Sequence, residues 1–215
     1  MKQHHRVPGE GCGQPFRARM VTMPKSRPRR ADAIRNRALI LEAAEAVFSE
    51  QGSGASVAEI AQRAGTGKGT VFRHFTSKDE LLAHVMLARL DKLIDDGEQL
   101  EATVGNGQAL YDFLELGAGR QQEDFAPFLT APGIAEQLQG AQQRFFELME
   151  RLAADAHRVG TLRSDMSGAD VAALMCAPGH VAQMAGSDDP NLWRRYLTII
   201  IDGLRPVGAS FRPES

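Results

Sequence analysis

The sequence predicts an all-α protein, and three observations carry that expectation. From Ile34 onward apolar residues recur at three- and four-residue spacing, the period of one helical face. No segment alternates apolar and polar residues with period two, as a half-buried strand would. A serine followed three residues later by glutamate, which lets each side chain cap the other's backbone at a helix start, precedes two of the apolar runs. A chain of 215 residues, 43% of them hydrophobic, can bury a core and has the length of one large domain or two small ones.

Residues 1–33 show no hydrophobic period and several helix breakers, so they are expected to form a disordered arm, with Met1, Met20 and Met23 all open as the start. Its cluster KSRPRR, Lys25 to Arg30, has two readings: an arm that tracks DNA phosphate, or a solvated tail. The arm lacks the apolar core of a secretory signal, and no run of about 18 apolar residues follows, so a cytoplasmic protein without a membrane partner is expected. Cys12 and Cys176 lie far apart in sequence and are read as reduced thiols, without a zinc cluster or disulfide framework.

The first helix carries Ile40, Leu41, Ala44, Val47 and Phe48 on one face and ends at Gly52. The second, SVAEIAQRAG, presents Val57, Ile60, Ala61 and Ala64, opens on the pair Ser56 and Glu59 and stops at Gly65. A short helix from about Lys68 to Phe75 follows. The fourth opens on Ser77 and Glu80 and carries Leu82, Val85, Met86 and Leu93, so that four short helices fill about 35–95. Beyond Gly105, helices are expected near 107–118, 134–158, 168–186 and 190–204, with a further piece around 121–130. Leu138, Ala141, Phe145, Leu148, Met149 and Leu152 form one stripe of the second of these. Pro178 and Gly179 are expected to kink or interrupt the third, and Asp189 with Pro190 suits the start of the last.

The stretch AGTGKGTVFRHF, Ala64 to Phe75, poses the functional question. A phosphate-cradling nucleotide loop needs glycine, four residues, then Gly-Lys-Ser/Thr, emerging from a strand. Here Gly69 follows Lys68, Gln62 stands where the first glycine is needed, and a helix precedes. A helix ending at Gly65, a turn of a few residues and a second short helix instead have the lengths of a helix-turn-helix, whose second helix enters the DNA major groove. Val71 and Phe75, four apart, then pack inward, and Lys68, Thr70, Arg73 and His74 face out. Arg73 has a second reading as a solvated charge. Arg35, Arg37 and Arg63 fall near the expected DNA backbone path or are surface charge.

Residues 35–83 resemble the DNA-binding domain of the TetR family of transcriptional regulators. The similarity rests on RALILEAAEAVFSEQG and SVAEIAQRAGTGKGTVFRHFTSKDELL, with their A-A-x-x-x-F, E-I-A-x-x-A-G, G-T-V-F-x-H-F and S-K-x-x-L-L segments in order. The resemblance implies a three-helix head, a connecting fourth helix and a larger helical C-terminal domain that dimerises and holds a ligand. It implies an arm over 1–33, a helix-turn-helix domain over 34–83 with its connecting helix to about 95, a regulatory and dimerisation domain over 96–206 and a tail over 207–215. By the same resemblance Ser56 caps and touches phosphate, Lys68, Gly69 and Thr70 meet bases or backbone, and His74 and Lys78 contact phosphate. Two positions depart from the family's usual residues. Gly67 stands where Ser or Thr often caps the helix, and Phe72 stands where Tyr is frequent, leaving packing or a thymine-methyl contact as its roles.

Net charge divides along the chain, +7 through Lys92 and −9 beyond it, so one half suits a polyanion and the other does not. In the C-terminal half Phe113, Phe125, Phe128, Phe145, Met149, Met175 and His180 are candidates to line an apolar ligand pocket, or ordinary core. Acidic residues including Asp95, Asp96, Glu98, Glu101, Asp112 and Glu115 suit a cationic ligand or a solvated face. Cys176 and His180, four apart, are read as buried packing and not as a metal pair. The last two helices carry apolar residues on more than one face, and the resemblance makes them a homodimer interface. No cofactor and no catalytic residue is expected. The leading expectation is a homodimeric repressor of a palindromic operator, released by an unidentified small molecule. A ligand-independent regulator or an activator is an alternative, and a helical small-molecule enzyme is a further one; its G-x-S-x-G, H-E-x-x-H and di-iron signatures are absent.

Overall fold

A computed structural model describes residues 26–120, 132–186 and 189–206, and every regular element among them is a helix. The order is α1 (Ser26–Gln51), a single 3-10 turn (Gly52–Gly54), α2 (Val57–Arg63), α3 (Lys68–His74), α4 (Lys78–Thr103), α5 (Gln108–Arg120), α6 (Pro132–Arg158), α7 (Gly168–Met175), α8 (Ala177–Met184) and α9 (Leu192–Leu204). The piece expected around 121–130 lies outside the described residues, as do residues 1–25 of the arm and the tail over 207–215.

Helix α1 begins at Ser26, so residues 26–33 are helix and not arm. Pro28 falls in the first turn, where backbone N–H groups have no intrahelical acceptor, and is therefore compatible with a helix there. Gly52, with φ +57°, ends α1. Ser56 and Glu59 form the expected reciprocal cap of α2, with Glu59 N donating to Ser56 Oγ at 3.2 Å and Ser56 N to Glu59 Oε2 at 3.1 Å. Gly65 at φ +65° closes α2 in a Schellman turn: Thr66 N donates to Ala61 O at 2.9 Å and Gly65 N to Gln62 O at 3.1 Å. At α4 only half of the expected cap forms. Ser77 accepts from Glu80 N, but the Glu80 carboxylate accepts from Thr76 N and Thr76 Oγ1, one residue upstream.

Two buried clusters organise the chain. The first joins α1, α2, α3 and the start of α4 around Ile40, Phe48, Ile60, Val71, Phe75 and Leu82. The second joins the rest of α4 with α5, α6, α7 and α9 around Ile94, Phe113, Leu148, Met149, Met175 and Trp193. Helix α4 belongs to both. It is 26 residues long, eight beyond its expected end near 95, because Ile94, Gly97 and Leu100 continue its buried face into the second cluster. A Cβ at Gly97 would lie 2.5 Å from Leu148 and 2.6 Å from Phe113, so glycine sets how closely α4 meets α5 and α6. Leu138 crosses between the clusters: it sits near the start of α6 yet is fully buried in the first.

The stretch expected as one helix over 168–186 is interrupted at Cys176, just before Pro178 and Gly179. Its buried side carries Val171, Ala172, Met175 and Pro178. Cys176 and His180 fall on a different face and are exposed, which corrects the expectation of buried packing. Helix α7 docks on α6 closely enough that a Cβ at Gly168 would stand 2.6 Å from the Glu150 backbone nitrogen, and the Glu150 carboxylate accepts from Gly168 N and Ala169 N. Helix α9 starts at Leu192, two residues after Pro190, with Asn191 at its N-cap, so Asp189 and Pro190 precede the helix and do not open it. Asp189 Oδ1 instead accepts from Asn191 N at 2.9 Å in the turn leading in.

Candidate nucleic-acid interface

Helix α3 divides by face as the four-residue spacing requires. Val71 and Phe75 are buried in the first cluster, whereas Lys68, Gly69, Phe72 and Arg73 are exposed and Thr70 and His74 are half-buried. The Phe75 ring anchors the end of the helix: His84 of α4 meets it edge-on at 5.5 Å between centroids, and the Arg37 guanidinium of α1 lies 4.9 Å over it. Burial, with the Arg37 charge adding to it and Glu80 opposing, holds the His84 pKa below the ordinary histidine value. Arg37 is thus engaged in packing behind α3.

Gly67 is the N-cap of α3 and supplies no side-chain hydrogen bond; Thr66 Oγ1 donates to Gly67 O at 3.1 Å in the turn. A Cβ added at Gly67 or Gly69 would meet nothing within 4 Å, so internal packing does not demand glycine at either position. Lys68, Gly69, Phe72 and Arg73 therefore stand on a surface with little side-chain relief around its first turn.

The flanking candidates are less free. Ser56, half-buried at the start of α2, accepts from Glu59 N and donates through its hydroxyl to Glu59 Oε2 at 2.6 Å, so an outside acceptor must compete for that proton. The bonds that the Ser56 hydroxyl and backbone N–H donate to Glu59 hold its carboxyl below the usual range. Arg63 is held by Glu50 of α1 through two bonds of 2.7 Å and serves to tie α2 to α1. Lys78 lies half-buried in the first turn of α4, and Arg35 is exposed on α1.

In the C-terminal cluster, Phe113, Met149 and Met175 are packed to near-zero exposure and Phe145 is half-buried against them. His180 is exposed, and Phe125 and Phe128 lie outside the described residues. A shallow groove of about 480 Å³ opens between α5 and α9, lined by Asp112, Glu115, Leu116, Gly119, Arg120, Trp193 and Arg194. None of the five described pocket candidates lines it. Four of the acidic residues named above face arginines of the same chain: Asp96 bonds Arg120, Glu101 lies 3.0 Å and Glu98 3.7 Å from Arg151, and Glu115 lies 3.4 Å from Arg194, while Asp112 accepts from Gln108 Nε2. Internal ion pairing thus engages these four acids. Among the described residues no group of three or more His, Cys, Asp or Glu is placed to hold a metal, and no helix is long and apolar enough to cross a membrane. Sequence reading missed Leu138 as a member of the first cluster, because a helical stripe shows that a face is buried and not what buries it.

Comparison with known proteins gives both halves a context. Residues 40–85 match the family described as bacterial regulatory proteins, tetR family, and residues 106–206 match the transcriptional regulator SbtR-like C-terminal domain. The chain is 33% identical over 137 residues to the HTH-type transcriptional activator FasR of Mycolicibacterium smegmatis, a match covering 57% of this chain and 63% of that protein. It is 38% identical over 73 residues to an HTH-type transcriptional regulator of Staphylococcus aureus, covering 34% of this chain and 40% of that one. The crystal structure of a TetR transcription regulatory protein from Mycobacterium vanbaalenii superposes with a TM-score of 0.61 at 34% identity, over 83% of this chain and 100% of that one.

Proposed function

The chain belongs to the TetR family of bacterial regulatory proteins, which makes it a helix-turn-helix DNA-binding transcriptional regulator, and we propose that it acts as a homodimeric repressor released from its operator by a small molecule. The observation that carries this reading is the outward face of α3, with Lys68, Gly69, Phe72 and Arg73 exposed beside half-buried Thr70 and His74. Laid in the major groove, that face meets base edges, while Lys68 at its start, Lys78 and the basic start of the chain neutralise phosphates. Two heads on one dimer then require a palindromic site with half-sites about one helical turn apart, or a multiple of it.

Exposed apolar residues on α8 and α9, Met184 at 76% and Ile199 at 60%, support a face on which a second copy packs. Release follows from differential affinity: a ligand that binds better to a C-terminal arrangement with the wrong spacing of heads draws the population away from DNA. Helix α4 and Leu138 supply the path, since each contributes to the head's core from an element that also packs in the C-terminal cluster. The likeness to FasR, an activator, favours a second reading in which the same contacts recruit transcription. The position of the footprint relative to the promoter, with and without candidate metabolites, distinguishes the two.

Selection of duplexes from a random pool by the full-length protein tests the core of the proposal. A palindrome is expected to emerge, bound with an affinity that falls steeply with salt by about 0.9 logarithmic units per decade for each phosphate neutralised. Failure to enrich any duplex, or binding indifferent to salt, overturns it.

A further inference from the structure

From the exposure of Phe72, and resting on α3 as the DNA-facing helix, we propose that this residue reads the 5-methyl group of a thymine in each operator half-site. Phe72 is 49% exposed, although it lies mid-helix in an element whose opposite side is buried. The head's core already holds two buried aromatics, Phe48 and Phe75, the second packed between Arg37, His74 and His84. Phe72 therefore leaves on the DNA-facing side of α3 an apolar ring that the fold makes no use of, and covering it on DNA adds a favourable burial.

The surroundings of the ring select the kind of cover. Lys68 and Gly69 lie one turn before Phe72 on the same side of α3, and a Cβ at Gly69 would meet nothing within 4 Å, so the ring projects beside bare backbone. A partner can approach the helix there as closely as its backbone allows, with a cation four residues from the ring. In the major groove the one apolar group on a base edge is the thymine methyl; the other features are hydrogen-bond donors and acceptors, which a phenyl ring cannot satisfy. Phe72 also lacks a hydroxyl with which to bond phosphate, so its contribution is to sequence preference and not to general affinity for the DNA backbone.

The test replaces each thymine of the selected duplex in turn by deoxyuridine, which removes only the methyl, and measures binding by the wild type and Phe72→Ala. The wild type is expected to lose about fourfold in affinity per half-site at one thymine position, the loss that corresponds to one buried methyl. Phe72→Ala, whose folding is checked by circular dichroism and sedimentation, is expected to bind more weakly and to be indifferent to that same replacement, a coupling read as a double-mutant cycle. Should Phe72→Ala bind too weakly to measure, Phe72→Leu takes its place and is expected to show a reduced dependence. Equal methyl dependence in wild type and variant overturns the proposal, as does a wild type indifferent at every thymine. Loss of the dimer in Phe72→Ala also overturns it, by assigning the ring to a protein contact. If no duplex is selected at all, the DNA-regulator reading fails and this proposal with it; selection without methyl dependence removes this proposal alone.

Discussion

Lys68 and Arg63 are both cations of the helix-turn-helix, and the structure separates their roles. The Glu50 carboxylate holds Arg63, whereas Lys68 is exposed in the first turn of α3. Lys68→Ala is expected to weaken DNA binding across sequences and to lower the salt slope by about 1 for each phosphate no longer neutralised, with the sedimentation profile unchanged. An altered oligomer would mean that Lys68 belongs to the protein's own framework. Ser56 belongs to a set of carboxylate-held turns, together with the pairs Thr76–Glu80 and Ser167–Asp170. Hydrogen bonds from these partners hold Glu59, Glu80 and Asp170 below their ordinary values. Because the folded values are depressed, protonation favours the unfolded chain. The stability these groups supply is complete above the ordinary glutamate value of 4.5 and is lost as pH falls below it. Thermal midpoints are therefore expected to begin to decline below about pH 6.5, where the unfolded chain protonates His84 before the folded one does, and to fall further in that acid window. Ser56→Ala should remove one cap, at a cost of about 1 kcal/mol by denaturant titration. The cap at Ser56, the stop at Gly65 and the inward pair Val71 and Phe75 were legible because each depends on residues within a few positions. Arg37 over Phe75 was not, since that contact spans the head.

Helix boundaries were legible where a glycine or a cap marks them, and less so where tertiary contacts extend an element. Gly52 and Gly65 stop their helices where the sequence places the stops. The end of α4 at Thr103 depends on burial against α5 and α6, which local periodicity does not report. The same limit hid the exposure of Cys176 and His180, because the face that α7 buries is defined by its docking on α6 and the face that α8 buries by its docking on α9. That docking makes a demand at Gly168. A methyl there would press on the backbone of Met149 and Glu150, which cannot rotate away as a side chain can. Gly168→Ala is therefore expected to destabilise the protein by about 1–3 kcal/mol in chemical denaturation. An unchanged midpoint would show that α7 shifts freely on α6, and would remove the fixed joint inferred between them.

At the scale of the molecule, the division of charge found in the sequence accompanies two cores with different outer surfaces. The basic part contains the head, and several acids of the acidic part are engaged in ion pairs with its own arginines, such as Glu101 with Arg151 and Asp96 with Arg120. The candidate DNA face was legible because it is one short helix; a ligand site was not, because it must be assembled from several helices. If a second copy covers α8 and α9, Ile199→Asp should yield a monomer in sedimentation that binds a single half-site weakly. A dimer that survives this change would place the interface elsewhere. One more feature bears on the whole chain. Trp193 is its only tryptophan; it is buried where α9 meets α5, and its indole N–H has no acceptor among the described residues. The protein thus carries an intrinsic fluorophore in the C-terminal core and no tryptophan in the head. Its emission tracks the melting of one core, while far-UV ellipticity sums the helices of both. Since α4 and Leu138 are shared, the two signals should change over the same denaturant range, and a gap between them would measure how independently the head can come apart.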